Sequence, residues 1–160
     1  MRTVLTLWIL AGAAALLATT AGAPDSYTVV VHQSNPVAEF RVADVRSLFS
    51  GVTRRWPDKQ RVVLVERDPA GAASRFLIGR FLQTTPAGYR RSLANIEFVE
   101  GETAVLRTLN SDAAACKFVF NVPAAVGLIE TASLQTPECQ AVKPVRVDGR
   151  MAGEKGYPLQ

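Results

Sequence analysis

Two hydrophobic periods organise the chain. Residues 27–32 (Tyr-Thr-Val-Val-Val-His) form a β-branched apolar run ended by Ser34-Asn35-Pro36, and they predict a strand. Val42, Val45, Leu48 and Phe49 then recur at helical spacing, with Arg41, Asp44, Arg46 and Ser47 on the other face and Gly51 as C-terminal cap. Residues 62–65 are continuous and apolar, as expected of a strand covered on both faces. A helix is predicted from Ala70 onward, burying Ala73, Phe76, Leu77 and Phe81. Thr85-Pro86 opens another, since proline's missing N–H costs little in a first turn.

Further along, residues 96–99 read as a short strand. Ser111 and Asp112 open a helix, one as cap and the other as a carboxylate favourable to the helix dipole. That helix buries Ala115, Phe118, Val119 and Val122 and stops at Pro123. Residues 126–130 and 142–148 are predicted strands, and the glycine-rich segment 150–160 is expected to lie on the surface or fray. Alternating strands and helices imply an α/β layered domain.

The first two dozen residues stand apart from this pattern. Arg2 precedes an uncharged apolar stretch, residues 4–17, followed by Ala18-Thr19-Thr20-Ala21-Gly22-Ala23. This is the layout of a signal peptide, residues 1–21, cleaved after Ala21. An uncleaved anchor is the competing reading, but the run is shorter than the roughly 20 apolar residues a span needs. No cysteine follows it, which argues against lipoprotein processing. The expectation is a periplasmic or secreted protein with no stable membrane insertion after cleavage.

Without Arg2 the chain carries 17 basic residues (18 less 1) against 14 acidic ones, a mildly basic balance. Arg54-Arg55 and Arg90-Arg91 lack interleaved aromatics, so solvated charge describes them better than a nucleic-acid surface. Cys116 and Cys139 both fall in the exported part and are read as a structural disulfide, with two free thiols as the alternative. The one histidine, His32, has no metal-ligand spacing around it, and neither a metal nor a cofactor is implied. His32 near Ser34 lacks an oriented acid or an oxyanion turn, so no catalytic residues are assigned. Trp56-Pro57-Asp58 reads as a packed turn.

The most informative chemistry lies where the 62–65 strand meets the next helix. Asp68-Pro69-Ala70-Gly71-Ala72-Ala73-Ser74 is a small-residue turn that can present backbone N–H groups and a helix's positive end to an anion. Arg67 would add charge and Ser74 a hydroxyl, giving Arg67, Gly71, Ala72, Ala73 and Ser74 as the candidate oxyanion site. The competing reading pairs Arg67 with Asp68 or Glu66 and leaves the small residues as packing.

Several segments, in order, resemble the phosphate-type periplasmic substrate-binding proteins of ABC transporters, and especially their small single-lobe relatives. They are Val29-Val30-Val31-His32 with Ser34-Asn35-Pro36-Val37, residues 45–51 with Trp56-Pro57-Asp58, the Arg67 turn, Pro123-Ala124-Ala125-Val126-Gly127-Leu128-Ile129, and residues 142–149 with Gly156-Tyr157-Pro158-Leu159. The resemblance implies a single lobe of the periplasmic binding-protein type II fold, a mixed sheet flanked by helices, over residues 24–149 with a tail at 150–160. It also places His32 in a lobe-connecting strand.

Two departures stand out. Full-length members close two lobes on the ligand, whereas this chain matches only the second. The family's anion turn is an arginine followed by glycine-serine-glycine-threonine; aligned on Arg67, that run falls on Ala70, Gly71, Ala72 and Ala73, and both hydroxyls are lost. Each lost hydrogen bond to a charged ligand is worth about 1.5–3 kcal/mol. The resemblance thus implies a non-enzymatic solute-binding-type protein linked to ABC-type uptake, which takes phosphate or a related oxyanion weakly or with a partner. The alternative is a ligand-free lobe acting as an interaction or sensing module, with an envelope protein or a second copy as partner. An open, anion-sized hollow at Arg67 and Ser74 favours the first reading; a filled turn and an exposed apolar patch favour the second.

Overall fold

The computed structural model describes residues 26–100 and 105–160. The signal-peptide expectation, residues 1–21, lies outside these. Seven strands are present among the described residues: β1 (Tyr27–Val31), β2 (Glu39–Phe40), β3 (Val63–Arg67), β4 (Val105–Leu109), β5 (Ala125–Glu130), β6 (Lys143–Pro144) and β7 (Arg146–Val147). The helices are α1 (Val42–Phe49), α2 (Ala72–Ser74, widening into a π-helix over Arg75–Phe81), α3 (Pro86–Glu100) and α4 (Asp112–Asn121), and a 3₁₀ turn spans Thr131–Gln135.

The five-stranded sheet has the order β4-β3-β5-β1-β6. β3 runs parallel to β4 and β5, and β1 runs antiparallel to β5, so the sheet is mixed. Every residue of β1 is buried, because both faces of the sheet are covered. On one face Tyr27, Val29, Val31, Leu64, Val126 and Leu128 share a core with Leu48 and Phe49 of α1 and Phe76, Leu77 and Phe81 of α2. On the other, Val30, Val65, Ala125 and Ile129 pack with Ala115, Cys116 and Val119 of α4. The alternation along β1, β3 and β5 is the period-two pattern of a strand between two apolar layers.

The helix termini follow their sequence signals. Asp44 accepts from the backbone N–H of Arg41 at 2.9 Å, and Gly51, at φ +80°, closes α1. Ser111 Oγ accepts from the N–H of Ala114 at 3.1 Å, capping α4 as expected. Trp56 is a packed turn residue: its indole N–H donates to Ala124 O at 2.9 Å and its ring stacks near Phe40.

Three expectations need correction. Residues 96–99 are the last turns of α3, not a strand. Once Pro86 nucleates that helix, no breaker follows until Gly101, and propagation costs far less than nucleation. The strand expected over 142–148 is two strands in two sheets: β6 pairs with β1, and β7 pairs with β2. Pro144, which has no N–H to give, sits at the sheet's edge. The 150–160 segment does not fray. Tyr157 and Leu159 are fully buried, and Leu159 O accepts from the N–H of Tyr27 at 2.8 Å. Its glycines serve turns, with Gly153 at φ +90° and Gly156 at φ +79°, which fold the chain back onto the core.

Cys116 and Cys139 form a disulfide that closes a loop of 23 residues and fastens the segment after the 3₁₀ turn to α4. Loop closure of that length stabilises by about 3 kcal/mol, chiefly by restricting the unfolded chain. Cys116→Ser is therefore expected to lower the thermal midpoint in oxidising buffer and to leave the fully reduced protein unchanged. Equal losses with and without reductant would contradict a stabilising crosslink.

Candidate functional site

The parallel strands β3 and β4 and the strand β5 end together at one edge of the sheet, beside the start of β1: Arg67 pairs with Leu109, and Glu130 with Tyr27. The turn after β3 is built by Asp68. Its carboxylate accepts from the N–H of Ala70 at 3.0 Å, and its carbonyl accepts from the N–H of Gly71 at 2.8 Å. Gly71 is the N-cap of α2, and a Cβ there would lie 3.0 Å from Asp68 O, so the close approach selects glycine. Ser74, only 2 % exposed, donates its hydroxyl to Arg67 O at 2.8 Å. The Arg75 guanidinium donates to Ala70 O.

The five candidate oxyanion residues thus share one turn with different commitments. The N–H of Gly71 and the hydroxyl of Ser74 are engaged within the turn. Ala72 and Ala73 are first-turn residues, whose N–H groups have no intrahelical partner by geometry. Arg67 reaches toward the start of α4. Its Nη1 lies 2.9 Å from Asp112 Oδ1, an oblique ion pair lacking the alignment of a hydrogen bond, and its Nη2 donates to Asn110 O at 3.3 Å. Its Nε is buried and donates to no described group. The partner is therefore neither Asp68 nor Glu66 but a carboxylate 45 residues along the chain (67 to 112).

Asp112 does more than the favourable dipole contact expected of it. Its Oδ2 accepts from Ser133 Oγ at 2.6 Å and from the N–H of Glu130 at 3.1 Å. Between Arg67, Ser74 and their neighbours Val65, Ala73, Leu77 and Leu128 lies a crevice too narrow to admit water. The exposed large apolar side chains among the described residues, Val52 and Phe120, lie far apart in sequence and belong to neither of the two core layers. His32 makes a local contact, its Nδ1 accepting from the N–H of Ser34 at 3.0 Å with Ser34 Oγ at 2.7 Å, and no carboxylate orients the ring.

Glu66, expected from the sequence only as an alternative partner for Arg67, has a different setting. It is 3 % exposed, receives the Thr108 hydroxyl at 3.4 Å on Oε2, and its Oε1 has no partner among the described residues. Burial raises its pKa above the ordinary 4.5, opposed by Arg90 and by the Thr108 hydrogen bond. The available signal was one carboxylate ending an otherwise apolar strand.

No family model matches the chain, and no curated protein matches it. Solved structures do, and they are phosphate ABC transporter substrate-binding proteins. A Clostridium perfringens protein of that description with bound phosphate superposes with a TM-score of 0.59 at 16 % identity, covering 78 % of this chain and 46 % of its own. PstS from Borrelia burgdorferi gives 0.59 at 10 % identity, covering 78 % and 47 %. An ABC-type phosphate transport receptor from Vibrio cholerae gives 0.52 at 20 % identity, covering 79 % and 48 %. The class of fold is that of the periplasmic binding proteins, an α/β mixed sheet flanked by helices. The chain spans less than half the length of these structures.

The buried carboxylate makes stability pH-dependent. The folded protein holds the Glu66 proton to higher pH than the unfolded chain does, so the penalty for burying the anion is absent below pH 4.5 and grows as pH rises through the raised folded pKa. Glu66→Gln is expected to raise the thermal midpoint at pH 7 and to lose that advantage as pH falls toward 4.5. A destabilised variant at pH 7, or a pH-independent difference, would contradict this.

Proposed function

We propose that the protein is an exported, non-enzymatic solute-binding-type lobe that meets phosphate or a related oxyanion weakly at the turn after β3, with a second copy or an envelope partner covering the ligand. The observation that carries this reading is the placement of Arg67, Ser74 and the opening of α2 together at the end of β3, in a fold whose solved neighbours include a phosphate-bound protein. The anion would take the N–H groups of Ala72 and Ala73, with the Arg67 guanidinium supplying charge beside the turn. Both serine-type hydroxyls of the resembling family are absent from this run, and an open lobe leaves the ligand in water, which weakens each contact. Affinity in the isolated lobe is accordingly low. The described residues contain no helix long and apolar enough to cross a membrane.

A second reading, the ligand-free interaction module, is favoured by one observation: Arg67 is already paired with Asp112 over a crevice closed to water. Calorimetric titration of the oxidised protein from Pro24 onward with phosphate, then sulfate, at low and moderate salt separates the two. Weak, salt-sensitive heat that falls at least about tenfold in affinity in Arg67→Gln, a loss of roughly 1.4 kcal/mol, supports the anion lobe. No heat with either anion supports the interaction module and overturns the first reading.

A further inference from the structure

A second concavity, at the far end of α2 from the anion turn, has a different chemistry. It is a cavity of about 250 Å³ lined by Arg46 and Ser50 of the α1 terminus, Leu82 and Thr84 after α2, and Tyr89 and Ser92 of α3. Ten residues of helix, three α and seven π, separate it from the Arg67 turn. The volume lies just below the usual range for drug-sized ligands, which limits it to a small one.

Its lining is one-sided in charge. Arg46 is the cation, and its guanidinium carbon stands 5.2 Å from the centroid of Phe81, which fixes it over an aromatic face. Ser50, Thr84, Tyr89 and Ser92 are hydroxyl-bearing residues of the lining, the Ser50 hydroxyl donating to Ser47 O at 3.3 Å, and among the described residues no carboxylate lines the cavity. The Tyr89 phenol is held protonated, and so a donor, by burial and by the Glu66 carboxylate. Leu82 supplies an apolar wall.

The backbone around the cavity departs from regular geometry at each step. The N–H of Leu82 donates to Leu77 O at 2.8 Å, the five-residue return of a π-turn, and the N–H of Thr84 donates to Ile78 O at 2.9 Å. Gln83, between them, has φ +55°, a left-handed conformation that non-glycine residues seldom adopt. A Cβ at Gly88 would come within 2.7 Å of Thr84 Oγ1, so a side chain there would displace the Thr84 hydroxyl. Strained backbone and π-turns gather where a fold holds a site in place.

We propose that this cavity binds a small organic acid, its carboxylate against Arg46 and the hydroxyls and its apolar body on Leu82. The inference does not depend on the anion turn, and a null phosphate titration leaves it standing.

Benzoate and its uncharged isostere benzamide are the probes, read by two-dimensional amide NMR of the oxidised protein. Benzoate is expected to give saturable shifts at Ser50, Thr84, Tyr89 and Ser92, with benzamide at least tenfold weaker. Arg46→Gln, at an exposed position where folding is not at risk, is expected to weaken benzoate at least tenfold; Arg67→Gln is expected to leave it unchanged. Absent shifts at these residues, equal binding of benzamide, or indifference to Arg46→Gln would overturn the proposal. So would loss of binding in Arg67→Gln, which would place benzoate at the anion turn.

Discussion

The Asp112 carboxylate is the contact on which the end of the sheet that carries the candidate site depends. It stands in the first turn of α4, where the helix dipole favours a negative charge, and it meets three partners there. One oxygen faces Arg67 at the end of β3; the other takes the Ser133 hydroxyl and the N–H of Glu130 at the end of β5. Two strand ends, one helix start and the 3₁₀ turn are thus fixed by a single side chain. The pair is largely but not wholly withdrawn from solvent, at 15 % and 13 % side-chain exposure. Its worth is nearer that of a charge-assisted hydrogen bond, about 1.5–3 kcal/mol, than the several kcal/mol of a fully buried pair broken at one side. The Cys116–Cys139 bridge, one turn further along α4, fastens the same region by covalent means.

This arrangement bears directly on what the turn after β3 can do. A guanidinium can serve an anion and a carboxylate together, because its donors point along several directions. Arg67 has used Nη2 on Asn110 and part of Nη1 on Asp112, and its Nε is buried. Any anion must therefore compete with, or share, an interaction that already organises the edge. It would do so in a chain that spans less than half the length of the structures on which it superposes. Low dielectric is what makes such contacts strong. The weak or assisted binding proposed above is in keeping with the engaged Arg67.

What could be read from the residues was local. The β1 run, the α1 stripe, the Ser111 cap and the proline opening of α3 each carry their signal within a few positions, and each stands where it was expected. The disulfide was legible because a chain with two cysteines has one way to pair them within itself. The partner of Arg67 was not legible, because it comes from another strand–helix junction 45 residues away (67 to 112), and the helix-opening signal at Asp112 says nothing of which cation it meets. The same holds for Tyr157 and Leu159, whose burial depends on a core assembled from the opposite end of the chain. Strand β4 escaped notice because Arg107 and Thr108 interrupt its apolar pattern at the edge of the sheet. The π-widening of α2 has no sequence signature in the apolar stripe, which buries the expected Phe76, Leu77 and Phe81 all the same. The five residues proposed for the anion do share one turn, yet their commitments within it could be learned only from the assembled structure.

A double-mutant cycle on folding stability with Arg67→Gln, Asp112→Asn and the double variant tests the central claim most directly. If this ion pair organises the edge of the sheet, the two changes are strongly non-additive, with a coupling of about 1–3 kcal/mol. Additive losses would mean that Arg67 and Asp112 act independently and that the arginine is free for a ligand.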